Sequence, residues 1–213
     1  MSNPIVYGPS YSTYVRTTRL ALEEKGVAYD LVDVATMTGA HKQSDHLARH
    51  PFGKLPAFGH DGLSLYETGA ITRYIDRALP GPALQPTAPR ALARIDQVMA
   101  IVDSYAYSCL VGQLVWQRLL VPMQGGAADE AEVAASLPQA KLCLAEFARL
   151  LGADTWFGGN TISLADLHLA PVMAYAVSTP EAADMMAAQP TLKAWWGRIA
   201  ERPSMTKTPP QFS

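Results

Sequence analysis

The chain is expected to fold as an α/β domain followed by an all-helical one. Three observations predict this. Strand-like and helix-like patterns alternate over residues 1–79, in the order β-α-β-α-β-β-α. Four prolines then crowd into the ten residues from Pro80 to Pro89. Every apolar period beyond them is helical. The expected organisation is a first domain over 1–79, a linker over 80–89 and a helical domain over 90–213.

Each element has a local cause. Ile5-Val6-Tyr7 is a short β-like run closed by Gly8-Pro9. Tyr14 to Lys25 carries Val15, Leu20 and Leu22 at helical spacing, and Gly26 stops it. Val27 to Val34 alternates in polarity and reads as a second strand, whose helical crossover favours parallel pairing with the first. A polar loop follows over 35–43, and 43–49 reads as a short helix. Residues 56–59 and 63–66 flank His60-Asp61-Gly62, and Asp-Gly between two apolar runs predicts an antiparallel hairpin. Thr68 to Leu79 is helical by the spacing of Ile71, Tyr74, Ile75 and Ala78. The proline-rich stretch cannot continue a helix or enter a central strand. Helices are then expected over 90–120, ended by Pro122 and Gly125-Gly126; over 130–151, closed by Gly152; over 163–175; and over 191–202, closed by Pro203. In the third of these, Ser163 and Asp166 form a capping-box pattern and Ile162 and Leu167 a hydrophobic staple, a device of structure rather than catalysis.

Composition narrows the function classes. Of 213 residues, 49% are hydrophobic and 17% charged, below the average of about 25% charged. A formal charge of -2 supplies no general attraction to nucleic acid or to an anionic membrane. No uninterrupted apolar run approaches the roughly 20 residues of a membrane span. Met1-Ser2-Asn3-Pro4 lacks the basic-then-apolar pattern of a secretory leader. The two cysteines, Cys109 and Cys143, lie in Ala/Leu-rich helical patterns with no CxxC and no zinc spacing. They read as small buried hydrophobes in a reducing compartment, with a disulfide between them as the alternative.

The stretch His50-Pro51-Phe52-Gly53-Lys54-Leu55-Pro56-Ala57-Phe58, followed by Leu65-Tyr66-Glu67-Thr68-Gly69-Ala70-Ile71, carries the functional signal. It offers an extended ligand one strand edge and one helix N-terminus. A small peptide with a free carboxylate is the natural guest.

These features, with Tyr7-Gly8 and Ser12-Thr13, Leu22-Glu23-Glu24-Lys25, His41-Lys42, Pro122-Met123-Gln124-Gly125-Gly126, Ser163-Leu164-Ala165-Asp166-Leu167 and Lys193-Ala194-Trp195-Trp196, make the whole chain resemble a cytosolic glutathione transferase. It is most similar to the serine-using phi type of plants and bacteria. It departs from that pattern in the order Val15-Arg16-Thr17, in Ala40 where Glu usually precedes His-Lys, and in Thr68 where Ser is commoner.

The resemblance implies a thioredoxin-like first domain that binds glutathione as co-substrate, with no metal. It assigns Ser12 to the sulfur, with Thr13 as rival. Tyr7, Tyr11 and Tyr14 are further hydroxyls to consider, since some relatives use tyrosine. Arg16 is either a source of positive potential or part of a solvated helix face. Pro56 is expected to be cis, turning the N–H and C=O of Leu55 towards the ligand. Glu67 and Thr68 are placed at the γ-glutamyl end, and His41, Lys42 and Lys54 at the glycyl carboxylate. An apolar second substrate would lie against Tyr11, Phe52, Trp116, Leu119, Leu120, Met123 and Tyr175. Phe52 is also a candidate for a homodimer contact, and Trp195 and Trp196 for packing. The implied activity is conjugation of glutathione to small hydrophobic electrophiles, or reduction of organic hydroperoxides by the same thiolate, in the cytoplasm and with neither nucleic acid nor membrane as partner. The alternatives are a binding protein that holds glutathione or apolar ligands without turnover, and a regulatory module that has lost the chemistry. Intact Ser12, Pro56, Glu67 and Thr68 argue against the last. No cysteine precedes Cys109, which disfavours thiol-transferase chemistry.

Overall fold

Strands β1 (Ile5–Tyr7), β2 (Asp30–Val32), β3 (Ala57–His60) and β4 (Leu63–Tyr66) form one sheet in the order β2-β1-β3-β4 in the computed structural model, which describes residues 2–36 and 38–211. β2 is parallel to β1, and β3 is antiparallel to both β1 and β4. Val6 faces Phe58 across the ladder, and both are fully buried. A one-residue slip would turn them outward, so the core sets the register. The Asp61-Gly62 hairpin forms as expected.

β2 is shorter than the alternation of Val27 to Val34 suggested. Val27 still belongs to the helix ending, its N–H bonding Leu22 O at 3.0 Å. β1 offers a ladder of only three residues, so pairing begins at Asp30 and stops at Val32.

Helix α1 (Thr13–Lys25) connects β1 to β2 and ends on Gly26 in the left-handed region, whose N–H returns to Glu23 and Leu22 carbonyls. A 3-10 turn (Ala40–Lys42), α2 (Ser44–Leu47) and α3 (Thr68–Ala78) complete this part. The helical part comprises α4 (Pro89–Met123), α5 (Glu130–Leu151), α6 (Leu164–Ala176), α7 (Pro180–Ala187) and α8 (Pro190–Ala200). A last short helix, α9 (Pro203–Lys207), follows. α7 and α9 were not expected. Each opens with proline at its first position, where the missing N–H costs no hydrogen bond. Pro203, expected only to end a helix, therefore also begins one.

The chain divides into two compact units, Gln85–Glu201 and the remainder. The first unit thus takes in the residues from Arg202 onward, which were expected in the helical domain. The cause is a set of contacts to α1. Arg202 grips Glu24, Arg16 Nη2 donates to Met205 O at 3.0 Å, and Lys207 pairs with Glu23 at 3.4 Å. The unit also runs past the expected boundary at residue 79. Lys25 Nζ donates to Asp76 O and Pro82 O, each at 3.0 Å, and Leu84 N to Asp76 Oδ1 at 2.6 Å. Gly81, at φ 110°, lies so close that a Cβ would fall 2.2 Å from Lys25 O. Only glycine fits there.

In the second unit α4 is the central helix, packed by α5 and α6. Its segment Val102–Leu120 is wound as a π-helix, for which the sequence shows no cause. α4 is long enough, and over one 18-residue window apolar enough on average, to cross a membrane, although no uninterrupted apolar run in it is that long. It is the core helix of this unit. Asp103, which interrupts the run, bonds Nε2 of the fully buried His168 on α6 at 2.8 Å. The capping box forms. Asp166 is fully buried and accepts four hydrogen bonds, from Ser163 N (2.8 Å), Ser163 Oγ (2.7 Å), Phe157 N (3.0 Å) and Trp195 Nε1 (2.8 Å). Burial pushes its carboxyl pKa up, and those donors oppose the shift. Cys109 and Cys143 are both buried free thiols.

Candidate active site

Ser12 is the N-cap of α1, in extended backbone at φ -67° and ψ 128°. Its Oγ accepts from Val15 N at 3.4 Å, so the hydroxyl caps the helix with a lone pair and keeps its proton to donate elsewhere. Thr13 is buried within the first turn, whereas Ser12 is half-buried. Gly8, before them, has φ 149°, and a Cβ there would meet Val15 Cγ2 at 2.4 Å and Leu55 Cδ2 at 3.4 Å. The close approach that glycine permits brings the start of α1 against the Leu55 loop.

The Leu55–Pro56 bond is cis. Among the described residues, neither the N–H nor the C=O of Leu55 takes part in a main-chain hydrogen bond. That leaves one unused donor and acceptor for an extended ligand. Lys54 is exposed, and its carbonyl is held by Nε2 of buried His46 at 2.8 Å. Gly53, at φ 57°, lies beneath the 3-10 turn, where a Cβ would sit 3.0 Å from His41 O and 3.1 Å from Lys42 Nζ. His41, Lys42 and Lys54 thus gather on adjoining loops. The His41 imidazole is held below its usual pKa by burial, and then by the charges of Lys42, His46 and Lys54. Two lysines and a largely neutral imidazole suit a carboxylate.

Glu67 precedes α3 at φ 70° and ψ 112°, an uncommon conformation for a residue with a side chain. The helix's first return bonds are Ala70 N and Ile71 N to Glu67 O, so Thr68 N–H and Gly69 N–H have no main-chain acceptor among the described residues. These two N–H groups lie at the positive end of an 11-residue helix, an arrangement that favours negative charge. Behind them His50 is buried, its ring 4.8 Å from Tyr66. Burial lowers its pKa, and the nearby Glu67 carboxylate works the other way.

His46 and His50 are supporting residues that sequence reading did not single out. Their spacing, four apart across a helix end, carried no signal until the fold buried both. Arg16 also differs from expectation. It is not on a solvated face: it lies buried and donates to Met205 O and Thr208 Oγ1. Tyr7 lies in β1, with the Arg49 guanidinium 4.6 Å over its ring. Tyr11 is half-buried, its hydroxyl 2.6 Å from Thr36 Oγ1.

The apolar candidates fall on both units. Phe52 is 66% exposed and lies with Tyr66 and His50 in one aromatic cluster of the first unit. Trp116, Leu119, Leu120 and Met123 occupy the last turns of α4, with Trp116 and Met123 exposed and the two leucines half-buried. Tyr175 is half-buried near the end of α6.

A four-stranded mixed sheet with an N-capping serine, a cis proline and a helix N-terminus at its edge, joined to a helical unit, defines the glutathione-transferase class. The chain belongs to the glutathione S-transferase family: residues 4–77 match its N-terminal domain and residues 98–203 its C-terminal domain. It is 34% identical to the probable glutathione S-transferase GSTF1 of Oryza sativa subsp. japonica over 95% of this chain and 93% of the relative. It is 36% identical to glutathione S-transferase 3 of Zea mays over 95% of this chain and 91% of that one. Among solved structures it resembles glutathione S-transferase I from maize in complex with an atrazine glutathione conjugate, with a TM-score of 0.85, 32% identity, and 97% and 96% of the two chains covered. Both of these curated relatives are from plants, in agreement with the resemblance to the phi type.

Proposed function

We propose that the protein is a glutathione transferase in which the Ser12 hydroxyl donates a hydrogen bond to the sulfur of glutathione and holds it as thiolate. Ser12 carries the reading. It caps α1 by accepting from Val15 N and retains its own proton. A thiolate placed there also meets the positive end of a 13-residue helix. The Leu55 main chain pairs with the cysteinyl unit as an added strand. Thr68 and the free N–H groups of α3 take the γ-glutamyl carboxylate, Glu67 the amino group, and His41, Lys42 and Lys54 the glycyl carboxylate. The sulfur then attacks an electrophilic carbon, a C–S bond forms, and the displaced electron pair leaves with the leaving group or moves onto the acceptor's conjugated system. Tyr11, Phe52, Trp116, Leu119, Leu120, Met123 and Tyr175 are the candidates for holding an apolar electrophile. The conjugate held by the maize relative is of this kind. The same thiolate chemistry extends to organic hydroperoxides.

The protein acts as a cytoplasmic homodimer in this reading. Its buried free thiols fit a reducing compartment, and the exposed Phe52 and Tyr66 offer apolar surface for a second copy.

The test compares wild type with Ser12→Ala and Thr13→Ala by retention on glutathione-agarose and by turnover of aryl halides. Ser12→Ala should be retained while turnover falls about 100-fold or more, the cost of losing one charge-stabilising donor. Thr13→Ala should stay near wild type. Turnover unaffected by Ser12→Ala would overturn the serine role. Retention of wild type without turnover across a broad electrophile panel would leave the binding-protein reading instead.

A further inference from the structure

Two segments that meet opposite ends of the proposed glutathione site are joined by one side-chain bond. Tyr11 stands between β1 and α1, one residue before Ser12. Its Oη lies 2.6 Å from Thr36 Oγ1, in a half-buried setting. Thr36 opens a tightly folded turn. Gly39 N donates to Thr36 O at 3.0 Å, and Ala40 N and Thr38 Oγ1 donate to Ala35 O at 3.0 and 3.1 Å. Gly39, in the left-handed region at φ 77°, leads into the 3-10 turn Ala40–Lys42, where Lys42 N returns to Gly39 O at 2.9 Å. A shift of Thr36 is therefore passed along hydrogen-bonded main chain to His41 and Lys42. None of the described residues over 35–42 is buried, so apolar packing does little to fix this stretch. The Tyr11 end is firmer, because Ser12 N donates to Pro9 O at 3.1 Å and Ser12 caps α1.

We propose that Tyr11 is a positioning residue for the glycyl carboxylate of glutathione: through Thr36 it sets the place of His41 and Lys42 relative to Ser12. This rests on the assignment of His41, Lys42 and Lys54 to that carboxylate made above. Charge-assisted bonds depend on the placement of their donors. Without the link, the bound peptide has to order the 35–42 stretch itself, and that cost lowers affinity. The role uses the hydroxyl alone, so phenylalanine tests it and keeps the ring.

Two peptides separate this role from a general one. γ-Glutamylcysteine carries the sulfur and the γ-glutamyl end of glutathione and lacks the glycyl unit. Dissociation constants for both are measured by titration calorimetry on the full-length wild type, Tyr11→Phe, Thr36→Val and the double variant. Wild type should hold glutathione at least about tenfold more tightly than the dipeptide. Tyr11→Phe and Thr36→Val should each weaken glutathione about fivefold and leave the dipeptide within about twofold. The double variant should be no weaker than either single one, because all three lose the same bond. Equal weakening of both peptides would overturn the proposal, since the hydroxyl would then act at the sulfur or on the fold at large. Unchanged glutathione affinity, or additive losses in the double variant, would overturn it as well. A wild type that holds the two peptides alike would instead strike the carboxylate assignment, and the Tyr11 role with it. Should Tyr11→Phe fail to fold, Thr36→Val decides by the same comparison.

Discussion

The imidazole of His46, buried on α2, holds the carbonyl of Lys54 through Nε2 at 2.8 Å. The bond fixes the loop one residue before Leu55, whose main chain is the proposed partner of the ligand backbone. His46→Ala should therefore raise KM for glutathione by about fivefold, the worth of roughly 1 kcal/mol of hydrogen bonding, and leave kcat nearly unchanged. Steady-state kinetics at saturating electrophile measure both. An unchanged KM would mean that the loop is held by other contacts.

Glu67 combines a positive φ with a proposed ligand contact. Glycine tolerates that backbone and alanine does not. Glu67→Gly should exceed Glu67→Ala in stability by about 1 kcal/mol, while both raise KM for glutathione about tenfold or more. Urea denaturation with kinetics on the two variants separates backbone strain from binding. Equal stabilities would remove the strain argument.

Arg202 Nε and Nη2 meet Glu24 Oε1 and Oε2 at 2.8 and 2.6 Å, and Ser204 Oγ adds a third bond. Burial opposes ionisation of Glu24, but these partners overcome it and hold the carboxyl below its usual 4.5. A depressed carboxyl pKa stabilises the fold above the unfolded value and loses that contribution as pH falls through the folded one. Wild type should thus lose stability more steeply than Glu24→Gln as pH drops below about 4.5, and should be the more stable of the two at pH 7. Unfolding free energies across pH 3–7 give the comparison, and parallel curves would count against it.

Asp166 satisfies four donors inside the helical unit. Asp166→Ala leaves them buried without an acceptor and should cost about 3 kcal/mol or more. It touches none of the proposed ligand groups, so the specific activity of the folded fraction should persist. A loss under 1 kcal/mol in urea denaturation would show that water replaces the carboxylate.

Much of the fold was legible because its signals are local. The Asp61-Gly62 hairpin, the left-handed Gly26 ending and the Ser163–Asp166 box each depend on residues within a few positions of one another. Prolines were harder to read. Pro203 looks like a helix breaker in sequence, yet it starts a helix, because only the chain's direction afterwards distinguishes a stop from a first position. In the candidate site, Ser12, Leu55, Pro56, Glu67 and Thr68 were named through the resemblance to the transferase family. His46 and His50 were not, since their importance lies in burial against loops distant in type and pattern.

The amino-acid order alone indicated the four strands and all the longer helices, though not α7, α9 or the extent of β2, and it indicated where the serine cap fell. These depend on interactions between near neighbours, and the chain carries them wherever it packs. Tertiary packing alone decided that residues from 202 onward join the first unit, that Arg16 turns inward, and that Arg19 is buried with its Nε on Tyr29. Those outcomes come from contacts such as Arg16 to Thr208, 192 residues apart. No periodicity encodes such a contact; it follows from which surfaces exclude water together.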